Sequence, residues 1–326
     1  MELNGRALYN ILRGNWLENP SLDLKAWQVE DYRALSEEEL WKRLKSLGLL
    51  LDRSALIAYA QECDGPEELT ELLVNGEQGE EIWEHAYLIL FEFWRRELPD
   101  RQTLSIFCDE LDFLMDFYDR GTLEDRVALE EALDDLEKIL DESVDAGLQP
   151  KEAFALIGQF SAHDVESFLY DYLAERISAG QELTASEWID GFYDYVQDVR
   201  WFDFLRARLF ARANVEESND ILARLVESLQ EKPDLDLSLE IATFLVREGD
   251  PLLFKQVILQ CLDSIKTEED FQDLLAIVAN YHRCLDQEKE EQAIESLFER
   301  RSHRQLDLPF DRNDQDARKV IDNLKM

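Results

Sequence analysis

The sequence predicts an all-α protein, and three observations predict it. Apolar residues recur at steps of three and four along nearly the whole chain, the period of a helix with one buried face. Alternating runs of Val, Ile or Thr, the mark of strands, are almost absent. Glycine and proline are scarce, 12 and 7 in 326 residues, and stand mostly where a helix would start or stop. The expected architecture is a layered stack or irregular solenoid of antiparallel helical hairpins.

Taken in order, the spacing predicts helices near 3–13, 37–47, 53–62, 66–75, 79–97, 102–119, 122–146, 151–159 and 162–178. Further ones follow near 185–197, 201–212, 216–230, 236–248, 251–265, 268–284 and 287–301. Ser36-Glu37-Glu38-Glu39 and Thr184-Ala185-Ser186-Glu187 read as capping boxes, and Thr267-Glu268-Glu269-Asp270 as a weaker relative. Pro66, Pro150 and Pro251 sit where a first helical residue would, a position that loses nothing by lacking an N–H. The clearest stripe is Leu129, Leu133, Leu136, Leu140 and Val144, with Glu130, Glu131, Asp134, Asp135, Glu137, Asp141 and Glu142 covering the other faces. Phe192 to Leu205 also admits a hairpin reading, because Tyr193 and Tyr195 alternate with Asp194.

Residues 1–146 read as an N-terminal helical region, acidic from residue 51, and 147–300 as a C-terminal helical stack. Residues 239–262 lie over 275–298 at an offset of 36, with Ile241 on Ile277, Arg247 on Arg283, Asp250 on Asp286, Gln256 on Gln292 and Ile258 on Ile294. That length suits a helical hairpin repeat turning at Asp250 and Asp286. Residues 301–326 read as a polar tail with mobility among its expected properties. It can fray, fold back on an acidic face, or serve as a docking segment with Leu306, Leu308 and Phe310 as anchors.

Four times an aspartate follows two aromatic or large apolar residues and precedes an aromatic one, at Asp116, Asp171, Asp194 and Asp203. Successive helical residues point about 100° apart, so the two flanks of such an aspartate cannot share one face. A helix packed between two layers buries both flanks and leaves the carboxylate at the water line. The competing reading is a buried acid with a raised pKa, poised for chemistry.

The chain carries 73 acids and 34 bases, a formal net charge of −39. Residues 51–150 hold 28 acids and 7 bases. This field repels phosphate backbones and anionic lipid, so nucleic acid is excluded as a partner, and no apolar run is long enough for membrane insertion. Cys63, Cys108, Cys261 and Cys284 form no CxxC pair, which points to buried thiols in a reducing, cytoplasmic setting. There is no HExxH, no Glu-x-x-His and no glycine-rich phosphate loop, so no cofactor is expected. The pair His163 and Glu166 reads as a helix-start decoration.

One pattern carries possible metal chemistry. Asn219, Ala223 and Glu227 share a helix face across two turns, with Asp109, Asp112 and Asp116 as an acidic group upstream. This resembles a degenerate second metal motif of the class I terpene synthases. The resemblance implies oxygen ligands to Mg²⁺ from those two sets in an all-α enzyme. The chain departs from it in two ways: Ala223 stands where the family has a hydroxyl ligand, and the upstream aspartates depart from DDxxD spacing.

With no intact catalytic motif, the leading expectation is a non-catalytic adaptor or chaperone-like scaffold that holds another, basic protein. The alternatives are a metal-dependent all-α enzyme and a structural subunit of a larger assembly.

Overall fold

A computed structural model describes residues 3–74, 79–124, 126–311 and 313–324. Asn75 in the expected 66–75 helix, Asp125 within 122–146, and Arg312, Lys325 and Met326 in the tail lie outside the described residues. The all-α reading holds: the described residues contain helices, two short 3₁₀ turns and one isolated bridge, with no strand. The chain forms two compact units. One comprises residues 1–169 with 194–196, and the other 170–193 with 197–326. The division falls later than the expected 146/147 boundary.

In the first unit the helices are α1 (Arg6–Glu18), α2 (Glu37–Ser46), α3 (Arg53–Ala60), α4 (Pro66–Leu73), α5 (Glu80–Glu97), α6 (Leu104–Asp119), α7 (Arg126–Asp145) and α8 (Pro150–Phe160). Helix α9 (Val165–Ser178) begins there. The core forms around α5, whose residues from Ala86 to Trp94 are buried without interruption. A helix buried on every side requires neighbours on every side, and α2 and α4 both pack on it. The one charge in that run, Glu92, is neutralised by Arg95 and Arg96 one turn along. Helix α6 packs against α1, α7 and α8. Gly5 precedes α1 with φ 59°, and a Cβ there would stand 2.9 Å from the Tyr87 hydroxyl, so backbone geometry and space both demand glycine.

In the second unit the helices are α10 (Glu182–Phe192), α11 (Val199–Ala213), α12 (Val215–Glu231), α13 (Leu235–Glu248), α14 (Pro251–Ser264), α15 (Glu268–Cys284), α16 (Glu288–Arg301) and α17 (Gln315–Leu324). Pairs α11–α12, α13–α14 and α15–α16 form helical hairpins, and α11, α13 and α15 are neighbours in turn. The two segments aligned at an offset of 36 each contain a hairpin turn, at Gly249–Asp250 and Leu285–Gln287. Asp286 takes φ 55°, a left-handed conformation that aspartate tolerates better than most residues.

The start signals hold at Ser36, Thr267, Pro66, Pro150 and Pro251. They fail at Thr184, which lies inside α10; the residue before that helix is Gln181, whose side chain makes no capping hydrogen bond. The hairpin reading of 192–205 is replaced by the end of α10, a turn and the start of α11. There the Tyr193 hydroxyl donates to Asp203 at 2.9 Å, and the Arg206 guanidinium lies over the Tyr193 ring.

The tail is folded. Backbone N–H groups of Glu268 and Glu269 donate to the carbonyls of Leu308 and Leu306, and that of Phe310 donates to Lys266. The Phe310 ring stacks on Phe271, and α17 packs against α14 and α16. Leu306 and Leu308 remain exposed.

Candidate functional site

The four aspartates between aromatics sit at the water line. Asp171 and Asp194 are exposed and Asp116 and Asp203 half-buried, while Met115, Tyr170, Tyr172, Phe192, Tyr195, Phe202 and Phe204 are buried. On α6 the inward-facing acids are two others, Asp109 and Asp112, one turn apart.

Asp109 is 4% exposed. Its carboxylate accepts from Arg33 at 2.5 Å and Asn10 at 2.9 Å, and Arg6 stands 3.6 Å away. Burial alone would push its pKa up; the Arg33 and Arg6 guanidinium groups outweigh that and hold it below the usual carboxylate range. Asp112 accepts from the backbone N–H groups of Ala162 at 2.7 Å and His163 at 3.1 Å. It therefore caps the turn that leads into α9. Its third partner is His163 Nδ1 at 3.2 Å, a bond that raises the histidine pKa. His163 is thus a partner of Asp112 and no mere decoration of a helix start. Asp116, a turn further on, pairs with Arg120 at 2.8 Å.

These three aspartates line one cleft of ≈ 600 Å³ in the first unit, with α1 on the facing side. Asn219 and Glu227 belong to the second unit, on α12. Asn219 is half-buried, with its Oδ1 lacking a hydrogen-bond partner, while Ala223 and Glu227 are exposed. The donor set does not fit the Mg²⁺ that the terpene-synthase resemblance implies. Asp109 meets guanidinium groups where a cation would have to sit, and the oxygens of Asp112 are taken by N–H donors. Among the described residues no group of three or more His, Cys, Asp or Glu side chains is arranged to hold a metal ion.

Cys63, Cys108 and Cys261 are buried, and burial pushes the Cys108 and Cys261 thiols up to about 12. Cys284 departs from the expectation of buried thiols and is exposed.

The acidic surface has its densest stretch on α7. Leu129, Leu133, Leu136 and Leu140 are buried against the unit, and Glu131, Asp134, Asp141 and Glu142 are exposed. Residues 121–150 contain ten acids and two bases. Both bases are engaged locally, Lys138 with Asp135 at 2.8 Å and Arg126 over the Tyr118 ring. Partial burial, together with the neighbouring Asp141 and Asp134 charges, raises the Glu137 pKa.

Sequence reasoning found Asp109, Asp112 and Asp116 but missed Arg6, Asn10 and Arg33, which define their surroundings. No local signal links residues 76 positions apart, as Arg33 and Asp109 are. Comparison with models of known families, with curated proteins and with solved structures finds no match for this chain. No helix among the described residues is long and apolar enough to cross a membrane.

Proposed function

We propose that the chain is a non-catalytic helical scaffold that holds a basic protein partner against the acidic face of α7. The observation that supports this reading is the carboxylate row of that helix, where partial burial and then the neighbouring Asp141 and Asp134 charges raise the Glu137 pKa. A polycation laid along the row relieves that repulsion and gains from each carboxylate it meets. An exposed ion pair contributes about 0.2–1 kcal/mol, so several together give a measurable and strongly salt-dependent affinity.

The test is fluorescence anisotropy with fluorescein-labelled decalysine. Neutralising the row with Glu131→Gln, Asp134→Asn, Asp135→Asn and Glu142→Gln is expected to weaken binding about tenfold, equivalent to about 1.4 kcal/mol. A control variant removes as many charges from the exposed face of α12, through Glu216→Gln, Asp220→Asn, Glu227→Gln and Glu231→Gln, and is expected to bind nearly as wild type does. Equal losses in the two variants would mean that net charge alone attracts the peptide, and the reading fails.

A further inference from the structure

The cleft between α1 and α6 has three features that internal packing does not explain. The first is Gly14, in the interior of α1 and on the cleft wall. Glycine inside a helix is about 0.5–1 kcal/mol less favourable than alanine. Nothing lies within 4 Å of the position its Cβ would take. Neither φ nor crowding requires glycine here, so the space above it is what a larger residue would remove.

The second is Phe113 on α6, which is 39% exposed and lines the same cleft. Its ring centroid lies 4.5 Å from that of Phe117, and the Arg33 guanidinium lies over it at 4.4 Å. A large ring left partly in water at a concave site offers a stacking surface.

The third is Arg6, a cleft-lining residue only 7% exposed whose Nε has no hydrogen-bond partner. Its nearest carboxylate, Asp109 at 3.6 Å, is already bonded to Arg33 and Asn10. A buried donor left unsatisfied costs about 1–3 kcal/mol and calls for an explanation. Arg13 pairs with Asp31, Arg120 with Asp116, and His163 with Asp112; Glu18 also lines the cleft. Arg6 Nε thus faces one carboxylate at ion-pair distance and lacks a hydrogen-bond acceptor.

We infer that this cleft binds a small planar aromatic carboxylate, its ring between the open backbone at Gly14 and the face of Phe113, its carboxylate toward Arg6. The size agrees, since sites for small organic ligands run to about 300–1,000 Å³ and this one holds ≈ 600 Å³. The site uses none of the α7 carboxylates, so it stands or falls separately from the scaffold reading.

Isothermal titration of the full chain with 2-naphthoate tests it. Saturable binding of one equivalent is expected, and about tenfold weaker binding of both naphthalene-2-carboxamide and cyclohexanecarboxylate, which lack the charge and the aromatic ring respectively. Gly14→Leu is the decisive variant. It fills the space above α1 while improving helix propensity, so the melting temperature should hold or rise as binding is lost. Phe113→Ala should weaken 2-naphthoate more than cyclohexanecarboxylate. No saturable binding to the wild-type chain, equal affinity for the amide, or undiminished binding by the Gly14→Leu variant would each overturn the assignment.

Discussion

Arg301 is 1% exposed, and its guanidinium donates to Glu268 at 2.6 and 2.8 Å, to Asp314 at 2.7 Å and to Asp316 at 3.2 Å. It also lies over the Phe271 ring. Removing the cation leaves carboxylates from three positions facing one another in a poorly hydrated site. Breaking a buried pair in this way costs about 3–5 kcal/mol, so Arg301→Leu is expected to lower the urea stability of the chain by that amount. A loss below about 1 kcal/mol would show that the hub holds nothing together. The basic cluster Arg300-Arg301-Ser302-His303-Arg304 stands out in the sequence, as do Asp109 and Asp112. Their partners do not, because an ion pair closed by tertiary structure leaves no periodic trace. The same limit hid the cleft: its aspartates were legible, while Gly14 lay beyond the helix expected at 3–13, which in fact runs on to Glu18.

Each helix expected between residues 37 and 301 forms, because a stripe of apolar residues at helical spacing is a local signal that packing reinforces. Helix α17 was missed for the converse reason: its buried apolar face, Ala317, Val320 and Leu324, is small and lies within a polar tail. What anchors it is charge. Burial opposes the ionisation of Asp316, but hydrogen bonds from Lys319, Arg300 and Arg301 outweigh it and hold the pKa at about 2. An unfolded aspartate titrates near 3.9. A depressed carboxylate stabilises the folded form fully above that value, and the contribution fades as pH falls toward the folded pKa. The anchor of α17 should therefore be intact above about pH 5 and weaken between about pH 4 and pH 2. Pepsin, which works in this window, should cut between Arg304 and Asp314 at pH 2 while sparing that segment at pH 4. Cleavage equally fast at both values would contradict the anchoring role of Asp316.

At the scale of the molecule, a net charge of −39 coexists with two well-packed units because the apolar residues suffice for a core in each. The acids between aromatics mark the outer edge of that packing, and α7 carries the densest row of acids. The fold class was legible from periodicity. The division between units was not, since it falls inside the continuous helix α9, where no glycine, proline or change of composition marks it. If the α7 carboxylates are a binding surface, as proposed, a bound polycation should shield them. Carbodiimide labelling of carboxyl groups with and without decalysine, read by peptide mass spectrometry, tests it most directly. Protection concentrated on Glu131, Asp134, Asp141 and Glu142 is the predicted result; protection spread evenly over the exposed acids of both units, or absent from 126–145, contradicts it.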